Sequence, residues 1–86
     1  GDKEVHHIVA RRDPRALLSR LILADCNIGI NSRENTVAMN KSYHKVLHTN
    51  LYYSLLNFSI FVGYFNGGEK GVRTVLEIYK KILGGL

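Results

Sequence analysis

All four histidines of the chain fall into two pairs: His6-His7 near the start, and His44 with His48 four residues apart in the middle. Imidazole suits Zn²⁺ and similar divalent ions, and with a reference pKa of about 6.5 it can also accept a proton at neutral pH. On an α-helix, residues four apart stand one turn above each other on the same face, so two imidazoles so placed can grip one ion. On a strand, adjacent side chains point to opposite faces, so His6 and His7 cannot both be simple ligands of that ion. One of them is expected to be a ligand and its neighbour to serve another task. Either pair alone is commonplace. Every histidine of the chain falling into these two arrangements points to a shared site.

The elements that must position these residues are legible in outline. Glu4 to Ala10 reads as a short strand from its β-branched residues, and Thr36-Val37-Ala38-Met39 as a second. Between them, Asp13-Pro14 is a helix start with Asp as N-cap and Pro at the first helical position. Leu17, Leu18, Leu21, Ile22 and Ala24 form its expected apolar face, and Cys26 or Asn27 should end it. Gly29 supplies a turn, and Asn31 to Asn35 is a loop-forming cluster. Asn40 or Ser42 can cap the next helix. From Tyr43 to about Phe61 the spacing predicts one long helix carrying both His44 and His48, with Val46, Leu47, Leu51, Leu55, Phe58 and Val62 inward. Tyr43, Tyr52 and Tyr53 could stack on bases, although at helical positions packing is the commoner role. Asn66-Gly67-Gly68 should break the chain. A final amphipathic helix then runs from Glu69 to Leu83, with Val72, Val75, Leu76, Tyr79, Ile82 and Leu83 inward, and Gly84-Gly85 ends it.

At 86 residues, 45% hydrophobic and 22% charged, the chain is expected to be one unit, 1–86, since a second core does not fit. So small a core gains from a metal, a partner or a larger parent protein. Twelve Lys and Arg against seven Asp and Glu give a net charge of +5, which favours a polyanion or an acidic protein as partner. Cys26 is the single cysteine, which excludes an internal disulfide and a Cys-rich metal site; a small buried residue on a helix is the plain expectation for it. The polar lead Gly1 to Glu4 is not a signal peptide, and Leu55 to Phe65 is too short and too polar to span a bilayer. Histidines so close to the first residue suggest a piece of a longer protein.

Three segments carry a family resemblance: Glu4-Val5-His6-His7-Ile8-Val9, Asn35-Thr36-Val37-Ala38-Met39, and His44-Lys45-Val46-Leu47-His48-Thr49. Together, from Glu4 to about Tyr53, they resemble the His-Asn-His (HNH) endonucleases with a ββα-metal core. Within these, the chain is similar to the AHH toxin nucleases at the C-termini of polymorphic bacterial toxins, contact-dependent growth-inhibition effectors among them. Val5 stands where the alanine of that motif is expected. The Glu4-x-His6-His7 spacing is also similar to that of the nuclease colicins.

The resemblance implies an α+β fold: a small antiparallel β-hairpin and a long helix, with further helices, the first of them inserted between the strands. It implies His6, His44 and His48 as metal ligands and His7 as the general base that activates water. Asn35 becomes the middle residue that pins the loop and orients the base. The implied cofactor is a divalent ion, Zn²⁺ foremost, with Ni²⁺, Mn²⁺ or Mg²⁺ as alternatives; three His ligands leave room for phosphate oxygen and water. Arg11, Arg12, Arg33 and Lys45, with Arg15 and Lys41 nearby, become candidates for holding phosphates, and Glu4 for orienting a ligand or a basic side chain. DNA is the implied substrate, with RNA as the alternative. A cognate immunity protein, acidic to match the basic surface, is the implied partner. Delivery would be from the cell surface or by secretion within a larger toxin, and action in the cytoplasm of the target cell.

Two other readings compete. One is a metal module that binds nucleic acid without cutting it, its site closed by Cys26 or His7; structural zinc sites of small domains are usually Cys-rich, which counts against it. The other is an ordinary nuclease of a phage, restriction or repair system.

Overall fold

Lys3–His7 (β1) and Thr36–Asn40 (β2) pair antiparallel in a two-stranded sheet, with His6 opposite Val37 and Glu4 opposite Met39. Period two puts Glu4 and His6 on the face shared with buried Val37 and Met39, and His7 on the other face with Thr36. The computed structural model describes residues 2–86; Gly1, first residue of the polar lead and of the 1–86 unit, lies outside the described residues. The fold is α+β, a hairpin packed on helices.

β1 is shorter than the expected Glu4–Ala10 strand. Its ladder stops at His7 because Asn35 takes over as partner: the Asn35 carbonyl accepts from Ile8 N, and its side-chain oxygen accepts from Val9 N. Ile8 and Val9 stay fully buried without being strand residues.

The Asp13-Pro14 start is observed, with the Asp13 side chain accepting from Arg15 N, but it opens a 3-10 turn, Pro14–Ala16, that leads into α1, Leu17–Asp25. The expected apolar face of α1 is corrected. Leu17, Leu18 and Leu21 are exposed, and the inward stripe is Ala16, Ser19, Ile22, Leu23 and Cys26. Asn57 explains the rotation. Its side-chain oxygen accepts from both Ser19 N and Ser19 Oγ, and its amide donates to Arg15 O. This polar clamp draws the small residues of α1 against the next helix. Cys26 is buried and ends α1 as expected, with Asn27 just beyond at φ 58°.

The expected continuous helix from Tyr43 is also corrected. Lys41–His48 is a 3-10 segment started by Asn40, whose side chain accepts from Ser42 N. Thr49 is extended, and its hydroxyl accepts from Tyr52 N to begin α2, Asn50–Gly84. His44 and His48 therefore stand on the 3-10 segment, not on the long helix. In α2, Tyr52, Tyr53, Leu56 and Ile60 turn inward, whereas Leu51, Leu55, Phe58 and Val62 are exposed, as is Val46 before it. The tyrosine face wins because the Tyr52 hydroxyl finds a buried acceptor, Ile8 O, at 2.8 Å.

The expected break falls at Gly68, where φ 56° and ψ −138° interrupt α2. The two arms then fold back so closely that a Cβ on Gly71 would lie 1.9 Å from Gly63 O. Val72, Leu76 and Leu83 of the second arm complete the core, with Val75 and Tyr79 partly buried against it; Ile82 is exposed, contrary to expectation. Gly85 caps the end. Among the described residues no helix is long and apolar enough to cross a membrane.

Candidate active site

β1 delivers the first two histidines, and its pleat separates them. His6 is nine-tenths buried, with Glu4 two residues earlier on the same face. The 3-10 segment lays His44 over them: His44 Nδ1 is 3.3 Å from His6 Nε2, and Glu4 Oε2 is 3.4 Å from His6 Nε2 and 4.0 Å from His44 Nδ1. His48 meets the other edge of the same ring, its Nε2 2.9 Å from His44 Nε2. Three of the four histidines thus form a file of rings with centroids 4.5 Å apart at each step.

These distances test whether the residues suit a metal. Donors about 2.0–2.1 Å from a tetrahedral ion lie roughly 3.3 Å from one another. His6 Nε2 and His44 Nδ1 have that spacing, and Glu4 Oε2 completes a three-donor group whose atoms all lie within 4.8 Å of one another. The donor set fits a divalent ion. His44 cannot give both nitrogens to one ion, so His48, against Nε2, stands outside this group. By sequence Glu4 reads only as an orienting residue, although a strand's period of two already puts it beside His6.

The electrostatics keep His6 neutral. Burial, with His44 second, pushes the His6 pKa below the ordinary imidazole value, which favours the neutral, ligating form. The Tyr53 hydroxyl approaches His48 Nδ1 at 3.5 Å, and the Arg15 guanidinium lies over the Tyr53 ring at 4.6 Å. Three hydrogen bonds from Arg15, two from its guanidinium and one from its backbone N–H, hold the Asp13 carboxyl down at about 2.

His7 points elsewhere. It stands on the opposite face of β1, where its Nε2 is 2.7 Å from Asn31 Oδ1. Yet it borders the same cleft, of about 360 Å³, as His6, His44, His48, Arg11 and Arg12. The loop that presents the two arginines is braced from behind by Arg20, which donates to Ala10 O and Asp13 O. Asn35 is fully buried and ties Val9 and Ile30 together, and its side chain makes no hydrogen bond to His7. Lys45 is exposed between His44 and His48 without lining the cleft, and Arg33 lines a separate cleft with Glu34, Arg73, Glu77 and Lys80. Asn31 is a partner that sequence reasoning misses. Nothing about it stands out there beyond its place in a polar loop cluster.

Residues 2–61 match the model of a nuclease family of the HNH/ENDO VII superfamily with conserved AHH. The chain belongs to this AHH nuclease family. Neither a curated protein nor a solved structure gives a significant match. The family match spans β1 to the first arm of α2 and so takes in every residue of the cleft, reaching past Tyr53, where the resemblance read from the sequence ends. In this AHH nuclease the motif's alanine position is Val5, which is 69% exposed on the face away from Glu4 and His6; a larger side chain there displaces nothing. As a nuclease of this superfamily the protein acts on nucleic acid, and the superfamily's use of divalent metal accords with the donor group beside the motif.

Proposed function

We propose that this AHH nuclease is a metal-dependent endonuclease that hydrolyses the phosphodiester bonds of DNA. The observation that carries the reading is the division of labour across β1: a metal-suited donor group on one face, a separate histidine on the other, and His6, His44 and His7 bordering one cleft with two arginines. Glu4, His6 and His44 would hold the ion, with His48 as a further candidate beside them. Imidazole donors with one carboxylate favour Zn²⁺, and Ni²⁺, Mn²⁺ and Mg²⁺ are the alternatives. When bound, the ion supplies Lewis acidity at the scissile phosphate.

The chain's own residues do the rest. Arg11 and Arg12 hold the phosphate backbone at the mouth of the cleft. His7 takes a proton from water as that oxygen attacks phosphorus; the opposite P–O bond breaks, and the leaving oxygen takes a proton from solvent. Asn35 keeps the chain after His7 in place through Val9. The net charge of +5 supports a polyanionic substrate. It also supports an acidic immunity protein as the partner of a toxin domain, delivered by secretion or from the cell surface and acting in the target cell's cytoplasm.

The test is plasmid nicking by the purified chain with Zn²⁺, Ni²⁺, Mn²⁺ or Mg²⁺, beside EDTA and the His7→Ala variant, with RNA in parallel. Metal-dependent nicking that disappears in His7→Ala while metal still binds is the expected result. Cleavage of RNA alone would overturn the DNA assignment. A folded, metal-loaded chain that cuts neither would leave a nucleic-acid-binding metal module.

A further inference from the structure

The His44 ring lies between those of His6 and His48 and contacts both, whereas His7 turns to an amide. Asn31 Oδ1 lies 2.7 Å from His7 Nε2; an amide oxygen only accepts, so the contact is a hydrogen bond when the neutral ring carries its proton on Nε2 and leaves Nδ1 bare. Asn31 is itself held. The carbonyl of Ile30, one residue before it, accepts from Asn35 Nδ2 at 2.8 Å, and Ser32 N, one residue after it, donates to Gly29 O at 3.0 Å. The buried asparagine that pins the chain beyond His7 therefore also pins the loop that holds the His7 ring.

We propose that Asn31 is the positioning residue of the base: it sets the rotation and tautomer of His7 so that Nδ1 is the atom that takes the proton from water. The inference rests on the reading of His7 as base. In the step, a water O–H bond breaks and an Nδ1–H bond forms, while the electron pair stays on the attacking oxygen. The ring becomes an imidazolium whose Nε2–H donates to Asn31 Oδ1 more strongly than before, because a charged donor makes the shorter and stronger bond. Asn31 thus holds the ring through the step without touching substrate.

The experiment pairs imidazole ¹⁵N NMR of the full chain with nicking kinetics of the wild type, Asn31→Ala and Asn31→Asp. The wild type is expected to carry the His7 proton on Nε2 with slowed solvent exchange. Asn31→Ala should lose that slow exchange and lower kcat about 10–100-fold, the scale of a misplaced catalytic group, with KM and zinc affinity within about twofold of wild type. Asn31→Asp keeps an acceptor oxygen at the same reach and should recover most of kcat. A His7 proton found on Nδ1, an unchanged kcat in Asn31→Ala, or an Asp variant no better than Ala would each overturn the proposal. So would a loss of zinc affinity alongside kcat, which marks a merely structural residue. If the wild type is inactive with every metal, the base reading falls and this inference with it; if the wild type cuts and Asn31→Ala cuts equally, this inference alone falls.

Discussion

The side-chain amide of Asn35 pairs with both main-chain groups of Val9, accepting from its N–H at 2.8 Å and donating to its carbonyl at 3.0 Å. A side chain thus does there what a third strand residue would do. Removing it leaves a buried donor and a buried acceptor without partners, each costing about 1–3 kcal/mol. Asn35→Ala should therefore lower stability by roughly 2–4 kcal/mol, read as a fall in Tm on the order of 10–20 °C for a chain this size. A melt within a few degrees of wild type would show that the loop holds without the bridge.

The split use of His44 separates the candidate ligands. His6→Ala and His44→Ala should abolish tight zinc binding in calorimetry, and Glu4→Gln, which replaces a carboxylate donor with a neutral amide, should weaken it measurably. His48→Ala should cost less than any of these, because His48 meets the Nε2 of His44 and not the Nδ1 that faces His6 and Glu4. Equal losses for His48→Ala and His6→Ala would put His48 among the ligands and require His44 to turn.

Two groups give the stability a pH dependence with opposite signs. Asp13 is held down at about 2 by Arg15, below its unfolded value of about 3.9. Its contribution is present above that unfolded value and is lost as pH falls through about 2, so Asp13→Asn should flatten the acid limb of urea stability. Arg15 is exposed and Asp13 only half-buried, so solvent screens the pair and the effect is small. Burial raises Tyr52 above its ordinary value of about 10. The unfolded chain then releases its proton first, and stability falls as pH rises above 10. Tyr52→Phe should lose about 1 kcal/mol at neutral pH with the Ile8 hydrogen bond, and lose this alkaline decline as well. A variant with the wild-type alkaline slope would assign the slope to another group.

The glycines at the crossing of the α2 arms are not equivalent. Gly71→Ala drives a methyl group into Gly63 O and should unfold the arm or the chain. Gly67→Ala meets nothing within 4 Å and should be neutral or stabilising by up to about 1 kcal/mol, as expected inside a helix. Circular dichroism melts of the two variants decide it, and similar Tm values would mean that the arms can separate freely.

How much the sequence disclosed depended on the range of the forces involved. Local signals were legible: the Asp13-Pro14 start, the strand at Thr36, the Asn40 cap and the break at Gly68 each rest on neighbours in the chain. Helix faces were less so. Leu17, Leu18 and Leu21 form a convincing apolar stripe, yet α1 turns Ser19 inward to meet Asn57, 38 residues away. Thr49 resembles one more helical residue because its capping bond to Tyr52 competes with helix continuation, and periodicity does not weigh that contest. In the site, type and spacing disclose the histidines, whereas Asn31 comes to His7 only through the folding of a chain in which the two lie 24 positions apart.

The cleft draws its side chains from residues 5–53, while Val72, Leu76 and Leu83 of the folded-back arm buttress the core from residues beyond 68. The working parts and their brace are consecutive in the gene rather than interleaved. A recombination junction near Gly68 could exchange one brace for another, each judged by its fit to the core, and leave the histidines untouched. The same layout makes the brace the natural place to retune stability without altering what the cleft cuts.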